Sequence, residues 1–462
     1  MLINFRFDNF LSFSDLNTFS LVKGKTRTHS NHIVRVAKKV EVLKFSTVYG
    51  ANGAGKSSFI KAIRFSQQII TKNTFANAFR TYSRLHKGNR DKETNFEFEL
   101  GIGNKVYSYG FSLNISQASL KKEWLYEIDG IEENLIYSYE FDARNLDIDL
   151  EKLSNNPKDL ARLKTYIEDF KELKNFDECL FLFYLNDSKS AFESKSKANV
   201  INTVFAWFDK KLEVISADGT TKEGLNYLND DNNIEELVEF LKDFGTGIND
   251  VCFEEISLSE IKESLNHKAV DKLIDNIKTS YKEFKKTTSE SESESESEGI
   301  KFRGIFTNRD VLYSLKGSTP EDIKFHIINF KHFSDEEYFS LGDESDGTVR
   351  LLELYSILYD KRDKTYFIDE LDRSLHPNLT YTFIKKFLSK TNNSQLIVST
   401  HEDRLLDLNI LRRDEIWFVE KDKIGNSQLY SLEQFKTRFD KDIMNAYLEG
   451  RYGSVPKFSF FK

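Results

Sequence analysis

YGANGAGKSS, residues 49–58, fits the pattern GxxxxGK[ST] through Gly50, Gly55, Lys56 and Ser57. Glycines at these places let backbone N–H groups turn toward phosphate without a Cβ in the way. A lysine in this position reaches the β and γ phosphates, and the following hydroxyl can ligate Mg²⁺. The flanks supply the required context. LKFSTVY, residues 43–49, is a mostly apolar run that predicts a buried strand, whereas Phe59, Ile60, Ile63 and Ile70 recur near one face of a helix. Strand, glycine loop and helix arrive in the order phosphate binding needs, with the positive end of the helix dipole at the phosphates. Asn52, Gly53 and Ser58 complete the expected nucleotide-binding set with Gly50, Gly55, Lys56 and Ser57.

A triphosphate site of this type needs acids elsewhere. TYFIDELDRSLHP, residues 365–377, is an apolar strand ending in Asp369 and Glu370. One carboxylate at a strand end can hold a metal's hydration shell while its neighbour orients and activates water. LIVSTHE is a further apolar strand that ends at His401. The carboxyl ends of parallel strands are where open α/β sheets bind ligands, so His401 is a candidate γ-phosphate sensor. SLGDESDGTVRLLELYSIL begins at residue 340; in it Ser345 and Gly347 precede a helix with Leu351, Leu354, Tyr355 and Leu358 on its apolar positions. A Ser/Gly turn there is an ordinary helix cap and also an anion site.

Outside these motifs the chain alternates in character. Ile3, Phe5 and Phe7 begin a strand-rich start, and TNFEFELGIGNKVYSYGFSLN alternates about a Gly-rich turn as a hairpin does. Between about 155 and 287 helical stripes dominate. One comprises Ile234, Leu237, Val238 and Leu241, closed by Gly245; another comprises Leu273, Ile277, Tyr281 and Phe284. TTSESESESESEG, residues 287–299, has nothing to bury and reads as a solvated tether, the alternative being a regulatory phospho-acceptor tract. The expected organisation is an N-terminal lobe over 1–154, a helical insertion over 155–286, a Ser/Glu linker over 287–299 and a C-terminal lobe over 300–462. The fold class is α/β, with mixed and antiparallel sheets.

Composition narrows the function classes. The 462 residues hold 40 Phe and 4 Pro, which argues against general disorder. Two cysteines, Cys179 and Cys252, without metal-type spacing argue against a disulfide scaffold or a zinc site and fit a reducing cytoplasm. MLINFRFDNF lacks the features of a secretory signal and no apolar run is long enough to span a bilayer, so no membrane partner is expected. A net charge of −8 lowers the expectation of nucleic-acid binding without removing it, since a basic groove can form on folding.

Together GANGAGKS, ESDGT, FIDELDRSLHP and STH resemble the ABC-type ATPase heads of the SMC, Rad50 and OLD superfamily. NFLSFSDLNTFSLVKGKTRTHSNHI, WFVEKDKIGNSQLYSLEQF and AYLEGRYGSVP look closer still to bacterial AAA15-type, OLD-like ATPases of abortive-infection and anti-phage systems such as AbiL and PARIS. The resemblance covers roughly residues 1–150 and 300–462. It implies an ABC-ATPase head that binds ATP and Mg²⁺. Ser57 and Asp369 would then serve the metal, Glu370 would be the general base and His401 the switch. Asp372 would form the D-loop at a dimer interface, and Ser345 and Gly347 would act as a signature loop in trans. The same resemblance implies a homodimer or larger oligomer closed through ATP-bound heads. It also implies a partner nuclease or toxin of Toprim or RloB-like type, and a phage trigger. No glutamine is placed as a Q-loop, because Gln67 and Gln68 fall on the helix after the glycine loop.

Two alternatives remain. An SMC/Rad50-like repair ATPase would grip DNA itself, but the helical region is short for a long coiled coil and sustains no heptads. A self-contained nuclease would need a Toprim domain, for which the segment after His401 is expected to be too short. The pair Asp147 and Asp149 reads as a solvated acidic face.

Overall fold

A computed structural model describes residues 1–75, 78–173, 178–221, 224–230, 233–265, 267–289, 302–308, 310–333, 337–390, 393–435, 443–449 and 451–452. Along the chain run β1 (Leu2–Phe7), β2 (Asn17–Ser20), β3 (Ile33–Ala37), β4 (Val40–Leu43), β5 (Phe45–Tyr49) and α1 (Lys56–Lys72). β6 (Thr94–Ile102), β7 (Lys105–Asn114), β8 (Ser119–Asp129), β9 (Glu132–Glu140) and β10 (Asn145–Ile148) follow. Next come α2 (Leu150–Leu153), α3 (Pro157–Lys171), α4 (Phe181–Asp187), α5 (Asn199–Ala206), β11 (Leu212–Ile215), α6 (Ile234–Asp243) and β12 (Asp250–Ile256). α7 (Leu258–Ser264), α8 (His267–Ser289), β13 (Phe302–Asn308), β14 (Val311–Gly317), β15 (Lys324–Lys331), β16 (Tyr338–Phe339) and α9 (Asp346–Tyr359) lead to β17 (Thr365–Ile368). The chain continues through α10 (Pro377–Ser389), β18 (Gln395–Ser399), β19 (Ile416–Lys421), β20 (Ser427–Ser431) and α11 (Ile443–Leu448). The result is an α/β fold of mixed and antiparallel sheets.

Two compact units divide the chain: residues 1–219, 361–373 and 383–462 form one, residues 220–360 and 374–382 the other. The first holds a six-stranded sheet ordered β11-β17-β18-β5-β19-β20, parallel except for the antiparallel β19–β20 pair. Strands β5, β17 and β18 are buried at every residue, as expected for parallel strands covered on both faces. The same unit holds an antiparallel sheet ordered β10-β9-β8-β7-β6-β1-β2. Its β6–β7 hairpin turns at Gly103 and Asn104, both at positive φ (58° and 65°), which matches the twist of the flanking strands.

Phenylalanines join the two sheets. Phe59 of α1 packs its ring within 6.4 Å of Phe5, Phe7 and Phe19 on the antiparallel sheet and 6.1 Å from Phe367 on β17. The buried amide of Gln395 adds a polar tie. It accepts from the Leu2 N–H at 2.7 Å and donates to the carbonyls of Leu2 and Leu43. Glu123, fully buried on β8, accepts from the hydroxyls of Tyr109 and Tyr137 and from the N–H groups of Phe181 and Leu182, which docks the start of α4. Four donors offset a desolvation that pushes this carboxyl's pKa upward.

The second unit contains an antiparallel sheet ordered β12-β15-β14-β13, with β16 paired to β15. Ile261 of α7 and Val270 and Ile277 of α8 pack on Tyr313, Leu315 and Phe325 of that sheet. The stripe of α6 is buried at Leu237, Val238 and Leu241. Its C-terminus closes as a Schellman motif, with Gly245 at φ 69°, its N–H bonded to Lys242 O and that of Thr246 to Leu241 O.

The expectation of a helical insertion over 155–286 is corrected at two places. β11 joins the six-stranded sheet in parallel with β17, and β12 pairs with β15. Leu212–Ile215 is LEVI, an apolar run too short for periodicity to tell strand from helix; the backbone edge of β17 decides it. Of the Ser/Glu tract, residues 287–289 end α8 and residues 290–299 lie outside the described residues. Among the described residues no helix is long and apolar enough to cross a membrane.

Candidate nucleotide site

Because β5, β17 and β18 are parallel neighbours, the loops after them leave the same edge of the sheet. β5 runs into the glycine loop, β17 into Asp369 and Glu370, and β18 into His401. Glycine is required at two loop positions. A Cβ on Gly50 would lie 2.6 Å from the Val419 carbonyl, and Gly55 stands at φ 126°, where a Cβ would lie 2.6 Å from Ser427 Oγ. Helix α1 then starts at Lys56 with no side-chain cap, so its first N–H groups remain for a ligand.

Lys56 is buried, and its ammonium donates to the carbonyls of Gly50 at 2.6 Å and Ala51 at 3.4 Å. Burial lowers its pKa to about 8, while the charges of Asp369, Glu370 and Asp372 pull it back up. The lysine of one sequence half and the acids of the other thus share one electrostatic site. Ser57 and Ser58 are half-buried at the head of α1, and Asn52 and Gly53 are exposed.

Ser399 fixes the acids. Its hydroxyl donates to Asp369 Oδ1 at 2.6 Å and accepts from the Glu370 N–H at 2.8 Å. Glu370 stands at φ 54°, a left-handed conformation that is uncommon for a side chain of this size and concentrates at functional sites. Asp372 accepts from the His401 N–H at 3.3 Å, so the D-loop candidate holds the histidine loop of its own chain. The His401 side chain is exposed. The donor set fits a magnesium–triphosphate group: a hydroxyl at Ser57, an ammonium at Lys56 and a carboxylate at Asp369.

Sequence reasoning missed the supports beneath the loop. Ser427 Oγ, at the start of β20, donates to Ala54 O at 2.6 Å and lies 2.8 Å from Ser12 Oγ, and its N–H donates to Ser12 O. Gln67, rejected as a Q-loop residue, donates to the carbonyls of Phe208 and Leu212, a structural use.

Ser345 and Gly347 belong to the second compact unit. Ser345 is exposed and caps α9, its hydroxyl accepting from the Thr348 N–H at 3.1 Å. Gly347 allows close approach of backbone, since a Cβ there would lie 2.9 Å from Ser374 O.

No curated protein matches the chain significantly. The chain is similar to several solved structures at low identity. One is titled "Crystal structure of the SmcHead bound to the C-winged helix domain of ScpA", with 12% identity, covering 93% of this chain and 97% of that one, TM-score 0.38. Another is the SMC head domain from Thermotoga maritima, with 11% identity, 93% and 98% covered, TM-score 0.33. A third is an Smc head domain with an extended coiled coil bound to the C-terminal domain of ScpA, derived from Pyrococcus furiosus, with 14% identity, 97% and 99% covered, TM-score 0.33. The family described as "AAA domain, putative AbiEii toxin, Type IV TA system" matches over residues 45–407, a span that includes the glycine loop, the acid pair and His401. That span is well over half of the chain, and the chain belongs to this AAA family of P-loop ATPases.

Proposed function

We propose that the chain binds and hydrolyses ATP with Mg²⁺, and that nucleotide-driven association of its copies is a switch in bacterial anti-phage defence, sensing a phage trigger and controlling a partner nuclease or toxin. The observation that carries the ATPase reading is the buried Lys56, poised among the charges of Asp369, Glu370 and Asp372. Lys56, with the N–H groups of the loop from Gly50 to Ser58, binds the phosphates, and Ser57 and Asp369 would hold the metal. Magnesium, when bound, supplies charge neutralisation on the β and γ oxygens. Glu370 takes the proton from the attacking water, and His401 reads the γ-phosphate. Ser345 and Gly347 of a second copy close over the nucleotide, and Asp372 helps seat that copy. Binding energy for ATP then becomes association energy, and hydrolysis releases it.

The defence role is supported by the family description, which names a toxin and a toxin–antitoxin system. The test is ATP turnover by the purified chain, alone and with the product of a neighbouring gene. Lys56→Ala should abolish nucleotide binding. A Lys56→Ala protein that turns over ATP at the parental rate would remove the reading.

A further inference from the structure

Residues 80–92, RTYSRLHKGNRDK, place Arg80, Arg84, Lys87, Arg90 and Lys92 against one acid, Asp91, in a chain whose net charge is −8. All five cations are exposed. Several surface lysines of the same unit pair with acids, as in Lys23–Glu41, Lys105–Glu127 and Lys122–Glu140. Among the described residues Arg80, Arg84, Lys87 and Arg90 form no such pair, and Lys92 acts on Asp8.

Repulsion of this kind normally loosens a segment, yet here the backbone is pinned. Thr81 O accepts from the Leu11 N–H at 2.6 Å, and the Ser83 N–H donates to Asn9 O at 3.2 Å. The buried Asn9, at φ 45°, donates through Nδ2 to Asn89 O at 2.9 Å, and Asn89 donates to Ser14 Oγ at 2.8 Å. Self-repulsion retained in an ordered strap points to a polyanionic ligand. Next to Arg80 in sequence, Phe79 leaves 59% of its surface exposed, an open aromatic ring at the start of the strap. Cations with an open ring suit unstacked bases on a phosphate backbone better than an acidic protein face or a closed duplex.

We infer that the strap of residues 79–92 binds single-stranded nucleic acid, its cations on the phosphates and Phe79 stacked on a base. The turn that anchors the strap also carries Ser12, which meets Ser427 beneath Ala54 of the glycine loop. A bound strand therefore stiffens the support of the nucleotide loop and alters ATP turnover. That coupling rests on the function proposed above; the binding itself does not.

Fluorescence anisotropy with labelled oligo(dT), oligo(U) and a duplex of equal length tests the proposal and separates DNA from RNA. Single strands should bind more tightly than the duplex, with an affinity that falls as salt rises, a log–log slope of about −0.7 per phosphate contact. Arg84→Glu, Lys87→Glu and Arg90→Glu together should weaken binding at least about tenfold and flatten that slope. Phe79→Ala should weaken it by about five- to a hundredfold. Lys56→Ala should bind as the parent does, so a failed ATPase reading leaves this result intact. The proposal is overturned if single strands fail to bind at low salt, if neither variant changes binding, or if a polyglutamate peptide competes as well as oligo(dT).

Discussion

Lys56 carries the most informative charge in the molecule. In the free protein it gives up its proton near pH 8, against about 10.4 for an unburied lysine. A bound triphosphate favours the ammonium, so between those values binding must take up a proton and affinity must fall as pH rises, by up to about tenfold per pH unit. Calorimetry of ATP binding in buffers of different ionisation enthalpy should show that uptake; affinity unchanged from pH 7 to 10 would contradict it. Ser399 makes a second prediction. Ser399→Ala removes two hydrogen bonds at once and leaves Asp369 and the Glu370 N–H under-partnered, a cost of about 1–3 kcal/mol. Turnover should fall while the dissociation constant for ATP changes little; equal losses in both would place Ser399 in binding instead. Lys56, Asp369 and Glu370 were legible in the sequence because glycine spacing and strand-end acids are local patterns. Ser12, Ser399 and Ser427 were not, since a serine that supports a loop from 30 to 373 residues away looks like any other serine.

At the scale of elements, α1 serves the site and the core together. Its first residue is Lys56, and one turn on Phe59 packs against rings from both sheets of the first unit. Phe59→Ala should cost about 3–5 kcal/mol by leaving a cavity, read as a fall in the thermal midpoint. Loss of ATP binding should track that fall, because the loop loses its footing; a destabilised variant with unchanged affinity would show that the hairpin of β19 and β20 suffices to hold the loop. Strands β5, β17 and β18 were readable as apolar runs. β11 was hidden because its four residues sit in a stretch whose neighbours are helical, and only pairing with Thr365–Ile368 reveals it.

In the whole molecule two sequence halves share one site, which a second copy of the chain is proposed to close. Residues 45–58, 365–370 and 395–401 meet on one edge of one sheet, which the order of motifs foretold. Ser345 and Gly347 lie in the other unit, and their role over a second copy is a matter of assembly. Glu370→Gln keeps the size and donors of the site while removing the base, so it should accumulate the ATP-bound state. Light scattering should find this variant dimeric or larger with ATP and monomeric without it; a monomer in both conditions would leave the closure in trans without support. The most direct measurement is paired ATP binding and single-turnover hydrolysis by Glu370→Gln and its parent. Parental affinity with hydrolysis reduced by a hundredfold or more, about 2.7 kcal/mol in barrier, is the result expected of a general base at this position. Hydrolysis at the parental rate would contradict it.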